Sequence, residues 1–402
     1  MRYLISFLFL VPVLAIAETT GFETTGFETT GFETTGFKTT GFENVRSVVV
    51  STPQGQVTET EWQQVDASGQ RIGLHRYHAT GAVTTATLLY LPGTNMNGVL
   101  KTADSNHNLW LYLALRGIEV YAMDYRTRFI PHDFRGDLSL MRDWSMDLFV
   151  EDAVIAVSKI QQDQPLVPMY IAGFSRGASF AYGLAGQVKA AGLVALDGSF
   201  KKPPDESYDI GAALQLFDEE ANYASVLSSR GHDARTEMMR RVVSDPASSA
   251  MNDRYQTSGD QLAETLYLAW GPAVLANTRS NITPIDILAS EMLGYDWFYP
   301  RIQDIEGRSI ARQQDDPNTH IDDHFGEMAL PVLYFGSGGF GAESLLSGIY
   351  SAARSGSDDV TIKVLENYGH LDVLFASDAP VDVYRVIYEW ILDHQPLDPV
   401  SE

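Results

Sequence analysis

Met169-Tyr170-Ile171-Ala172-Gly173-Phe174-Ser175-Arg176-Gly177 decides how this chain is read. A short apolar strand runs into a serine with a glycine two residues to either side. A small-residue helix, Gly177 to Ala190, follows. G-x-S-x-G between strand and helix is the context of a nucleophile elbow. On such a tight turn the hydroxyl projects from the sheet edge, and the N-terminus of the next helix favours negative charge beside it.

Outward from the elbow, apolar runs alternate with helical periodicity. Val48-Val49-Val50 and Arg71 to His78 predict early strands with an antiparallel start. Thr87 to Leu91 predicts an apolar strand ending in Pro92-Gly93, Leu109 to Arg116 a helix, and Ile118 to Met123 another strand. Leu148 to Gln161 carries apolar residues at helical spacing, and Leu193 to Leu196 is a further strand. The rhythm stops over 200–328, which holds helical, polar and aromatic material but no clear buried strand. It resumes with Pro331 to Phe335, Ala342 to Ala353, Val360 to Leu365 and Val381 to His394. The pattern predicts an α/β fold: a mostly parallel sheet flanked by helices, built from 43–199 and 329–402, with a large helical cap or lid inserted at 200–328.

Composition narrows the chemistry. With 28 Lys plus Arg against 52 Asp plus Glu, the chain of 402 residues carries a formal charge of −24, which repels a phosphate backbone and argues against a nucleic-acid partner. There are no cysteines, so disulfides, thiolate nucleophiles and zinc-thiolate sites are excluded. Residues 1–17 read as a cleavable signal peptide: Arg2, an apolar run from Leu4 to Leu14, then Ala15-Ile16-Ala17 before Glu18. Export to the periplasm or medium is therefore expected, with no membrane span in the mature chain. Residues 18–42 are five copies of Glu-Thr-Thr-Gly-Phe, with Lys38 replacing the last glutamate. A five-residue period matches neither helix nor strand, and the expectation is a disordered arm. Its five phenylalanines offer the alternative of a sticky segment for a partner.

On the elbow and this alternation, the sequence from roughly Val45 to Gln395 resembles the α/β-hydrolases. The resemblance implies that the base follows the last strand, where Glu366-Asn367-Tyr368-Gly369-His370 stands. His370 would take the Ser175 proton and return it to the leaving group. The oxyanion hole is implied to come from the loop Pro92-Gly93-Thr94-Asn95, through the Thr94 N–H, and from the Arg176 N–H. The Asn95 side chain is a further candidate donor.

Two carboxylates compete to be the acid. Most members of the family place it after the strand read here as Pro331 to Phe335, but the loop Gly336-Ser337-Gly338-Gly339-Phe340-Gly341-Ala342-Glu343 offers only Glu343, late and already on a helix. Pancreatic-type lipases place it where Asp197 ends the strand Gly192 to Leu196, so the resemblance implies Asp197 as the acid, with Glu343 as the alternative. The stretch His370-Leu371-Asp372 with Asp378-Ala379-Pro380 is similar to the end of acid lipases, a likeness that breaks at Phe174 and Arg176.

The function these residues imply is an exported serine hydrolase acting on small-molecule or lipid carboxylic esters, needing no metal and no organic cofactor. A large lid suits a medium or long acyl chain or a hydrophobic alcohol. A peptidase or amidase of the prolyl-aminopeptidase type, and a non-catalytic surface protein using the repeat arm, are the rivals. Elsewhere, Asp124-Tyr125-Arg126 is expected to brace loops near the site, and His75 and His78 to be structural. His320 and His324, among Asp315, Asp316, Asp322 and Asp323, lack the zincin pattern and read as an acidic surface loop. Trp270, Tyr295, Trp297, Phe298 and Tyr299 are candidates for an acyl pocket or for helix packing.

Overall fold

The computed structural model describes residues 41–204, 209–219, 221–226, 232–270, 282–312 and 320–396. Residues 1–17, expected to be a signal peptide, and the repeats before Gly41 lie outside them. β1 (Glu43–Thr52), β2 (Gly55–Val65) and β3 (Arg71–Ala79) form an antiparallel meander. Strand and helix then alternate through β4 (Ala86–Leu91), α1 (Leu109–Ala114), β5 (Ile118–Asp124), α2 (Met146–Asp163), β6 (Met169–Phe174), α3 (Arg176–Ala185) and β7 (Gly192–Leu196). The interval that follows contributes α4 (Ile210–Glu219), β8 (Ala224–Val226), α5 (His232–Ser244), α6 (Ser258–Trp270), α7 (Ile285–Leu293), β9 (Phe298–Pro300) and α8 (Ile302–Arg312). β10 (Val332–Ser337), α9 (Ala342–Ala353), β11 (Val360–Leu365), α10 (Asp372–Phe375) and α11 (Arg385–Asp393) complete the chain, α11 continuing a π-helical turn over Pro380–Tyr384.

The sheet runs β1-β2-β3-β5-β4-β6-β7-β10-β11. β3 meets β5 antiparallel, and from β5 to β11 every pairing is parallel. The central strands read as unbroken apolar runs because helices cover both faces. On β6, Tyr170, Ala172 and Phe174 enter one core with α1 and α11, while Met169 and Ile171 enter another with α2 and α3. Leu88 and Tyr90 of β4 divide from Leu89 and Leu91 in the same way. Phe42, the last repeat phenylalanine, packs half-buried against the second core. Among the described residues no helix is long and apolar enough to cross a membrane.

Parallel strands put their C-terminal ends at one edge, and loops leaving that edge are where open α/β sheets gather ligands. β4, β6, β7 and β10 all deliver their following residues there.

Three expectations need correction. β2 is a strand the apolar pattern did not mark, because it is polar at most positions and pairs on both sides within an edge meander. The 200–328 interval does contain a buried strand: β9 pairs antiparallel with β8, each only three residues long and too short to show alternation. α3 ends at Ala185 instead of Ala190, with Gly186 at its C-terminus, a residue with little helix preference.

Candidate active site

Ser175 sits between β6 and α3 at φ 55° and ψ −122°, a conformation rare for a residue with a side chain. Its N–H donates to Leu196 O on β7 at 2.9 Å, which fixes the turn. The flanking glycines are there for space. A Cβ on Gly173 would stand 2.1 Å from Gly177 O, and one on Gly177 would stand 2.0 Å from Leu91 O on β4. Both obstacles are backbone, which cannot swing aside. Gly177→Ala is expected to destabilise the fold by roughly 1–3 kcal/mol or more, read as a lowered thermal midpoint. An unchanged midpoint would show that the elbow can relax.

Asp197 follows β7 at φ 46°, and its N–H donates to Phe335 O on β10 at 2.7 Å. It is 2% exposed, and His370 is 6% exposed. The two meet at 2.7 Å, Nδ1 of the imidazole to Oδ2 of the carboxylate. A carboxylate oxygen accepts, so Nδ1 is the donor of this contact and Nε2 is left as the acceptor. Ser337, at the end of β10, donates its N–H to Oδ1 at 2.7 Å and its hydroxyl to Oδ2 at 2.5 Å. The imidazole lies between Phe340, with centroids 3.8 Å apart and planes at 11°, and Phe174, at 4.6 Å and 26°. Behind it, Asp372 Oδ2 accepts the Gly369 N–H at 2.7 Å.

Glu343, the competing acid, is elsewhere. It is exposed on α9 and accepts from Lys202 Nζ at 2.6 Å, a contact that holds its carboxyl below the usual range. Of the two candidate acids, the structure brings Asp197 to His370.

Ser175, His370 and Thr94 line one cavity of about 190 Å³ with Asn95, Met96, Phe174, Met292, Tyr295, Phe340 and Leu371. Among the described residues no hydrogen bond joins Ser175 Oγ to the imidazole. Such contacts are often long without substrate and tighten on binding.

The Thr94 turn is held from both sides. Tyr125 donates its hydroxyl to Pro92 O at 3.1 Å, and the Met96 N–H donates to Gly93 O at 3.0 Å. Asn95, at φ 60°, donates its amide to Asp296 O at 2.9 Å and receives the Asp296 N–H on its own carbonyl at 2.7 Å. One N–H of the Asn95 amide is thus engaged, and Asn95 still lines the cavity with a second amide hydrogen. Among the described residues, the Thr94 and Arg176 N–H groups carry no hydrogen bond to the protein. The Arg176 side chain turns away to α8, 3.4 Å from Asp304 and packed on Gly307. Asn95, Ser175 and Asp197 are three of the four described non-glycine residues with positive φ, so backbone strain gathers at this cavity.

Asp124-Tyr125-Arg126 braces these loops as expected. Asp124 Oδ1 accepts the Gly98 N–H at 2.8 Å, and Arg126 forks onto Asp152 with both bonds at 2.7 Å. His75 is buried between Asp124 at 2.9 Å and Glu59 at 3.1 Å. Burial alone would lower it, but the two carboxylates outweigh burial and hold it at about 10.

Glu291 of α7 accepts the Lys101 N–H at 2.9 Å and the Thr102 N–H at 3.0 Å, fastening the interval after β7 to the loop beyond Thr94. Burial raises its carboxyl to about 7, against a smaller lowering by those N–H groups. The folded state then binds more protons here than the unfolded state, so this group's contribution falls as pH rises from 4.5 to about 7. Glu291→Gln should therefore gain stability relative to the parent across that window, by up to about 1.4 kcal/mol per pH unit, and level off above it. Denaturant melts at about pH 5 and about pH 8 bracket the change. A difference independent of pH would contradict the raised value.

No protein-family model matches the sequence, and no curated protein is similar to it. Among solved structures, a candidate lipase from Sulfolobus solfataricus is similar with a TM-score of 0.65 at 21% identity, covering 87% of this chain and 100% of that one. The chain has the α/β-hydrolase fold. Other α/β-hydrolase-fold likenesses are more distant. A thermostable carboxyl esterase from Bacillus coagulans gives a TM-score of 0.48 at 13% identity, over 88% of this chain and 99% of that one. A monoacylglycerol lipase from Paleococcus ferrophilus gives 0.47 at 14%, over 80% and 98%.

The remaining candidates scatter over this α/β-hydrolase fold. His320 pairs with Asp323 at 3.0 Å on the surface, and His324 packs against Gly186. Asp315 and Asp316 lie outside the described residues. Tyr295 reaches the cavity, Trp297 lies tilted against His132, Phe298 meets Phe134 edge-on, and Tyr299 lies beside Thr94 and Arg176 without good hydrogen-bond geometry to either. The Trp270 side chain is not among those described. Ser337, Phe340, Met96, Met292 and Leu371 are the site residues that sequence reasoning passed over. A scan of the β10 loop for carboxylates alone has no reason to stop at a serine.

Proposed function

We propose that the protein is a serine hydrolase of carboxylic esters. The observation that carries this is the Asp197–His370 hydrogen bond beside a strained Ser175 in one shared cavity. Fold alone would not carry it, because one fold hosts many chemistries.

Ser175 Oγ attacks the ester carbonyl carbon as His370 Nε2 takes its proton. The Thr94 and Arg176 N–H groups, with the N-terminus of α3, receive the oxyanion. Collapse of the tetrahedral intermediate breaks the bond to the alcohol, which leaves with the proton from Nε2. Water then gives its proton to Nε2 and attacks the acyl-enzyme, and the acid departs as Ser175 is reprotonated. Asp197 keeps the imidazole in the Nδ1–H tautomer throughout and stabilises the imidazolium. Met96, Phe174, Met292, Phe340 and Leu371 give the cavity an apolar lining suited to an acyl or alcohol group.

An aminopeptidase would hold a free amine with carboxylates, and among the described residues the cavity lining has none. Ester over amide is therefore the preferred reading. The reading of export rests on Arg2, the apolar run from Leu4 to Leu14 and Ala15-Ile16-Ala17. The test is labelling of the full-length protein by a fluorophosphonate, followed by turnover of p-nitrophenyl esters against aminoacyl anilides. Labelling with ester turnover is expected. Faster anilide turnover would make it an amidase, and no labelling would leave a binding protein.

A further inference from the structure

The end of β10 and the loop that follows it touch both partners of the acid–base pair, and the chemistry above gives those contacts no task. Ser337 is fully buried and puts both of its donors on Asp197, its hydroxyl on the same Oδ2 that accepts from His370. Phe340 lies flat on the imidazole, 3.8 Å between centroids. Between them, the Gly338 N–H donates to Leu365 O at 2.9 Å and the Gly339 N–H to Tyr368 O at 2.8 Å. The loop is thus stitched to the segment that carries His370, while the last residue of β10 grips the carboxylate.

We propose that Ser337 and Phe340 form the positioning element of the Asp197–His370 pair, an inference that rests on the triad assigned above. Rotation of the carboxylate plane about its Cβ–Cγ bond is soft, and bonds from Ser337 to both oxygens fix it. The fixed plane presents Oδ2 to Nδ1. Removing the hydroxyl leaves Oδ2 with His370 alone and strengthens the hold of that oxygen on the imidazolium. Phe340 acts on the other partner. When the imidazole takes the Ser175 proton it becomes a cation between two aromatic faces, a favourable arrangement that also opposes ring rotation.

The experiment is steady-state turnover of a p-nitrophenyl ester by the full chain, as parent, Ser337→Ala, Ser337→Thr, Phe340→Leu and Phe340→Tyr. For Ser337→Ala, kcat is expected to fall roughly 10- to 100-fold with little change in KM. The acidic limb of its pH–rate profile should move to higher pH. Ser337→Thr keeps the hydroxyl and should recover most of the loss and the parent's limb. Phe340→Leu keeps apolar bulk without the flat face and should lose kcat several-fold, whereas Phe340→Tyr keeps the face and should retain more kcat than Phe340→Leu. If Ser337→Ala fails to fold, Ser337→Cys carries the test as a near-isostere with a weak donor, and a lowered kcat with a displaced limb is expected. Parent-like kcat and limb in Ser337→Ala or Ser337→Cys would overturn the proposal. So would equal losses of kcat, KM and melting temperature in the alanine and threonine variants. A parent that takes no fluorophosphonate label would instead defeat the triad itself, a separate result.

Discussion

Ser175→Ala is expected to cut ester turnover by about 10³-fold or more and to abolish fluorophosphonate labelling. The reason is covalent: without Oγ there is no acyl-enzyme, and only the oxyanion donors and binding remain to assist water. The fold should persist. Serine and alanine pay a similar strain at φ 55°, and the turn is held by the backbone bond from the Ser175 N–H to Leu196 O. Kinetics and labelling should be read beside a thermal melt. Activity above about 1% of the parent, in protein that melts normally, would remove Ser175 from the centre of the reaction.

Asp197→Asn is expected to cost on the order of 10⁴ in turnover near neutral pH. Asparagine tolerates the left-handed backbone that Asp197 adopts at φ 46°, so the strand end should keep its shape. The chemistry changes instead. With its oxygen toward the Ser337 N–H, the new amide turns its NH₂ toward Nδ1 and favours the tautomer with the proton on Nε2. An imidazole in that state cannot accept from Ser175. Glu343→Gln should cost little, because Glu343 is exposed and bound to Lys202. The reverse ranking would return the acid to the helix after β10. Equal small losses would mean that another group orients His370. The comparison requires that both variants keep the parent's melting transition.

Legibility in the sequence followed the range of the interactions. The elbow was readable because everything it needs, strand, Gly173, Ser175, Gly177 and helix, lies within a few residues of chain. His370 was readable from its place after the last strand and its neighbour Gly369. The acid was legible only as a preference for Asp197 over Glu343, since the two are distinguished by which strand ends lie side by side. That is decided by β7 pairing with β10, where the Asp197 N–H meets Phe335 O. Ser337 and Phe340 were invisible for the same reason. Their roles exist only once β7, β10 and the His370 loop converge. β2 was missed on different grounds: an edge meander stabilised by cross-strand pairs needs few apolar residues to hold it.

Both suggested oxyanion donors are fastened to the interval between β7 and β10. Asn95 and Asp296 exchange backbone and amide bonds beside Thr94, and the Arg176 side chain reaches Asp304 and Gly307 on α8. A gate in the ordinary sense moves while the machinery behind it stays whole. Here the would-be gate is one wall of the machinery. Swinging that interval away as a rigid body would unpin the two loops that receive the developing charge, so an opened molecule would also be an inactive one. Were substrate to enter by such a movement, its closing would also reassemble the reaction centre.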